Sequence, residues 1–129
     1  MSCEHVMKSD DATKVVFKIC LDSEWQEAVN KGVYTGSALD LRDGFIHLST
    51  SDQVIETAQL HFRNITSLVL VAVDRAGLDI RYEESRNGQM FPHLFSDLPV
   101  SAAVKVQPVS LDADGVPIIT AEMIAAASV

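Results

Sequence analysis

At 129 residues the chain is long enough to bury a core without metal or disulfide, and a hydrophobic content of 47% supplies that core. A formal net charge of −8, with ten Lys and Arg scattered singly, excludes a surface that tracks a long nucleic acid. A small nucleotide, which needs only a few local donors, is not excluded.

Residues 1–14 read as a polar, acidic extension without apolar periodicity or a signal-peptide core, and residues 15–129 as a single globular domain. Val15 to Leu21 is the first strand, with Phe17, Ile19 and Leu21 on one face and Val16, Lys18 and Cys20 on the other. Ser23 and Gln26 have capping-box spacing and predict a helix with Trp25, Ala28 and Val29 on its apolar face, ended by Gly32. Val33 to Arg42 reads as a loop. Asp43-Gly44 then turns the chain into a strand over Phe45 to Ser49.

Thr50 and Gln53 repeat the capping spacing before a second helix whose stripe is Val54, Ala58, His61 and Phe62. Leu68 to Val73 is an unbroken apolar run, which predicts a strand covered on both faces and is too short to span a bilayer. Ile80 to Glu83 is a further strand, Asn87-Gly88 a turn, and Phe91 to Phe95 a strand that Pro92 confines to an edge, a bulge or half its length. Ala103 to Val109 is the last strand, Asp112 to Gly115 a turn, and Thr120 to Ala127 a terminal helix. The order implies an α+β fold, with two early helices packed on a mixed, mostly antiparallel sheet that can be split.

Two histidines stand inside apolar runs, and imidazole is costly to bury unless its nitrogens find partners. His47 shares a face with Phe45 and Ser49 if its segment is extended, and Thr50 follows at a helix start where unpaired N–H groups favour an anion. His93 lies between Phe91 and Phe95, a setting in which it can stack on or hydrogen-bond to a flat ligand. The two insertions together point to a shared polar site inside an apolar scaffold; the alternative is that each imidazole is structural and hydrogen-bonded to nearby backbone. Lys18 either snorkels from a strand edge or reaches an anionic ligand, and alternation sends one of Glu83 and Glu84 inward, where a carboxylate orients a histidine. His5 and His61 read as structural or inert. No metal-ligand spacing, Walker loop or nucleophile elbow occurs, and Cys3 and Cys20 do not form a disulfide framework. A soluble, cytoplasmic protein is the resulting expectation.

The run Gly44 to Ser49, together with Trp25, Gln53, the aliphatic strand ending at Asp74, Glu83 and Phe91 to Leu94, resembles the domain of unknown function 952 family. The likeness runs from about Val15 to Val109. That family is similar to ADP-ribosyltransferase-like folds, so the resemblance implies an NAD site between two small sheets. It implies His47 and Ser49 at the nicotinamide-side ribose, Lys18 at ribose or pyrophosphate, and His93 or Glu83 beside an oxocarbenium-like centre. Thr50 and Phe91 complete the implied binding residues. Lys18 stands where the family's first strand carries histidine, and Phe95 where it carries tyrosine. The expected function is therefore a small-molecule or nucleotide-binding protein in one of two forms. One is an NAD-dependent ADP-ribosyltransferase-like enzyme; the other is a non-catalytic ligand-binding or protein-interaction module.

Overall fold

The computed structural model describes residues 14–127, so all but the last residue of the expected N-terminal extension lies outside the described residues. The first strand, β1 (Val15–Leu21), runs antiparallel to β4 (Leu68–Asp74), and β4 in turn to β8 (Ala103–Val109). All of β4 except its last residue is buried, as its continuous Leu, Val and Ala content requires of a strand covered on both sides.

On one face of this sheet, Val16 and Cys20 of β1 and Val69, Val71 and Val73 of β4 pack beneath Trp25 and Ala28 of α1 (Asp22–Lys31). On the other, Phe17, Ile19, Leu70 and Ala72 pack against Val54 and Ala58 of α3 (Val54–His61) and Ala127 of α4 (Ala121–Ala127). The two early helices thus cover opposite faces. The split sheet is also present. A three-stranded sheet is ordered β3 (Ile46–His47), β6 (Met90–Leu94), β5 (Ile80–Glu84), and a two-stranded ribbon joins β2 (Val33–Tyr34) to β7 (Leu98–Pro99). Every described pairing is antiparallel, so the sheets are not mixed. Among the described residues no helix is long and apolar enough to cross a membrane.

Five details depart from the sequence reading. Helix α1 starts at Asp22 rather than after Ser23, with Glu24 Oε1 accepting from Leu21 N at 3.3 Å, and Val29 is exposed. The expected loop from Val33 to Arg42 contains β2 and a short helix, α2 (Ala38–Asp43). The strand at Phe45 to Ser49 is paired only at Ile46 and His47. Beyond it the chain bends so that Ser49 and Phe17 exchange backbone hydrogen bonds of 2.8 and 2.9 Å, stitching the two larger sheets together. His61 is exposed.

Pro92 lies in β6, the central strand rather than an edge. Its missing donor faces the β3 side, where that strand has already ended. Leu48 N donates to Pro92 O at 3.1 Å and needs no N–H in return. Asn87 and Gly88, by contrast, form the expected turn, both with positive φ.

Candidate functional site

Lys18 points into the apolar layer beneath α1 and does not snorkel from the edge of β1; the residue is 5% exposed. Its ammonium donates to Asp40 Oδ2 at 2.8 Å and to His47 O at 3.1 Å. Asp40 sits on α2, where Ser37 and Asp40 cap each other's backbone N–H groups. Gly36, at φ +117°, lets the carboxylate approach, because a Cβ there would meet Asp40 Cβ at 2.8 Å. Four donors converge on this carboxylate: Lys18 Nζ, Ser37 N, His47 N at 3.1 Å and His47 Nδ1 at 2.6 Å. Burial pushes the Asp40 carboxyl up, but the hydrogen bond from His47 and the Lys18 ammonium outweigh it and hold the group well below the usual carboxylate range. An ionised carboxylate only accepts, so Nδ1 of His47 carries hydrogen.

The other nitrogen of His47, Nε2, lies 3.0 Å from Asp43 Oδ2 at the end of α2. Asp43 also takes Arg42 Nε at 2.9 Å, and that hydrogen bond lowers its carboxyl from the ordinary value. Directly across the sheet, His47 pairs with His93, with ring centroids 5.7 Å apart. His93 is held in its turn: Nδ1 is 2.7 Å from Glu83 Oε1 on β5. Phe45 stacks on His93 at 4.0 Å and 21°, and touches His47 at 4.7 Å and Phe95 at 5.3 Å. Arg81 closes the row, its guanidinium 4.5 Å from the Phe95 centroid and paired with Asp79.

The structure therefore brings together His47, His93, Glu83 and, through Asp40, Lys18. Ser49 and Thr50 are turned elsewhere. The Ser49 hydroxyl is buried and donates to Thr57 Oγ1 at 3.3 Å, while Thr50 N is taken by Gln53 Oε1 at 3.1 Å; Gln53 Nε2 donates in turn to Met90 O at 2.8 Å, which ties the start of α3 to β6. The helix proper begins at Val54, so Thr50 lies in the turn before it. Phe91 is buried on β6, two residues from His93. Asp40, Asp43 and Phe45 are the residues sequence reasoning missed as site members. The Ser37-x-x-Asp40 spacing is the signal that would have found the first of them.

Both imidazoles have a carboxylate at Nδ1, which fixes the orientation of each ring. Among the described residues no three metal-ligating side chains cluster to hold an ion. A dinucleotide would ask for a cation at its pyrophosphate. Lys18 is committed to Asp40, Arg81 is bound to Asp79 and Phe95, and the carboxylates of Asp43 and Glu83 flank the imidazoles. These residues do not fit a pyrophosphate.

The model of a family described as protein of unknown function (DUF952) matches residues 19–106. The X-ray crystal structure of protein CC0527 from Caulobacter crescentus is 44% identical, with a TM-score of 0.81, over 85% of this chain and 98% of that one. The solution NMR structure of CC0527 is 46% identical with a TM-score of 0.73, over 81% of this chain and 91% of that one. No curated protein matches. The chain belongs to the DUF952 family.

Proposed function

We propose that this DUF952 protein binds a small flat heterocycle on the β3–β6–β5 sheet, with His93 and His47 as its hydrogen-bonding and proton-transferring groups. The observation that carries this reading is the placement of the two imidazoles on directly paired positions of adjacent strands, each steadied by a carboxylate at Nδ1. Imidazoles so oriented suit general acid–base work, worth about 10²- to 10⁴-fold where a reaction follows binding. Glu83 sets the ring of His93, and Phe45 supplies an aromatic neighbour against which a ligand ring can pack.

A nucleotide is the narrower form of the proposal. NAD, and the ADP-ribosyltransferase-like fold and chemistry that go with it, rest on the resemblance alone. The commitment of Lys18 to Asp40 favours a second reading, in which the protein binds its ligand without turning it over.

Thermal-shift titrations with nicotinamide, adenosine and NAD, on the wild type and on His93→Gln, test the proposal. A ligand that binds only the folded state raises its stability by mass action. A dose-dependent rise with at least one heterocycle, lost in His93→Gln, is expected. A flat response to all three at millimolar concentration contradicts it. Nicotinamide release from NAD then separates transfer chemistry from simple binding.

A further inference from the structure

His47 has a carboxylate at each ring nitrogen, Asp40 Oδ1 at 2.6 Å from Nδ1 and Asp43 Oδ2 at 3.0 Å from Nε2. A neutral imidazole has one N–H and one lone pair, and a lone pair facing an ionised carboxylate is repelled. Both contacts are satisfied together only when the ring carries both protons. The two carboxylates differ sharply: the Asp40 side chain is 1% exposed and receives three further donors, whereas that of Asp43 is 30% exposed and shared with Arg42.

We infer that Asp43 is a positioning residue that gates His47. While the ring holds two protons, Nε2 is tied to the end of α2; when one proton leaves, the Asp43 contact opens first and Nε2 becomes an acceptor on the ligand face. The inference rests on the ligand site proposed above and gives it a proton-controlled closed form. The groups that face His47 from every neighbouring element enter this balance. They are Asp40, Arg42 and Asp43 of α2, Lys18 of β1, and His93 of β6 with Glu83 of β5 behind it. Gly44, which ends α2 at φ +86°, and Phe45 form the short link between Asp43 and β3 across which the change is felt.

The discriminating variant is Asp43→Asn. An asparagine amide can donate to a bare Nε2 or accept from a protonated one, so its contact survives either charge state. Backbone amide protection at Leu39 to Gly44, corrected for intrinsic exchange, is measured across the pH span over which the ring is seen to lose its proton. The ring nitrogens of His47 are followed by NMR in the same samples. In the wild type, protection at the end of α2 falls roughly two- to fivefold as the ring loses its proton, the scale of a partly exposed ion pair. In Asp43→Asn the fall is absent.

Protection that stays level through the ring's titration in the wild type, or that falls equally in Asp43→Asn, overturns the gate. The measurement needs no ligand. A gate that opens in a protein that binds no heterocycle leaves this inference standing and removes the proposed function, and the converse result does the opposite.

Discussion

The two carboxylate–imidazole pairs are built as inversions of each other. In Asp40–His47 the acid side chain is 1% exposed and the ring 31%; in Glu83–His93 the ring is 7% exposed and the acid 46%. A buried carboxylate survives only when its lone pairs are met, and Asp40 meets four donors from β1, its own cap and β3. That pair fastens α2 and both larger sheets at one point. Glu83 stands half in water on an edge strand, where its contact with the histidine contributes little to stability. The same two residue types thus form a buried fastener in one pair and a pair with a water-exposed acid in the other, and burial of the acid makes the difference.

The comparison breaks most visibly at Asp40. Asp40→Ala leaves the Lys18 ammonium buried without its partner and is expected to cost about 3–5 kcal/mol of stability, read by urea denaturation. A loss below about 1 kcal/mol would place Asp40 with Glu83 instead. Gly36→Ala should act through the same carboxylate. Its Cβ would crowd Asp40 at a backbone angle side chains avoid, and a loss on the order of 1–3 kcal/mol is expected in the same assay.

Acid sharpens the contrast. The Asp40 carboxyl is held below its ordinary value of about 3.9, so the stability it contributes is present above that value and is lost as pH falls toward the lower folded one. Denaturation midpoints of the wild type should therefore decline below about pH 4, and Asp40→Asn should flatten that decline although it starts from lower stability. Glu83→Gln belongs at the other end. Its effect on folding should stay within about 1 kcal/mol, while the heterocycle-dependent thermal shift is lost.

The smallest expected effect lies beneath Lys18, whose ammonium is 5.9 Å from the Tyr34 ring centroid. The Tyr34 hydroxyl is buried without a hydrogen-bond partner among the described residues, and burial pushes its phenol up. Tyr34→Phe removes an unmet polar atom and should be neutral or stabilising by up to about 1 kcal/mol. Marked destabilisation would mean that the hydroxyl is in fact bonded.

The long strands were legible because burial on both faces leaves an unbroken apolar run; Leu68 to Val73 was read to within one residue of β4. The pairing of the two histidine segments was legible in part, since each strand carried its own anomaly. The fastener was not. A helix of six residues between Gly36 and Gly44 has too few turns to show a period, so Asp40 falls in a segment that reads as a loop. Lys18 looked like an edge residue because a partner twenty-two positions away leaves no local trace. His47 and Ser49 do not share a face, because alternation holds only while a strand lasts, and this one ends at His47.

The most direct test of the ligand site is an NMR titration of isotope-labelled protein with nicotinamide and, separately, adenosine. Saturable shifts centred on His93, Glu83, Phe45 and His47, with the amides of α4 unmoved, are the predicted result. Shifts centred elsewhere, or none at millimolar ligand, would contradict the account and leave both imidazole pairs as supports of the fold.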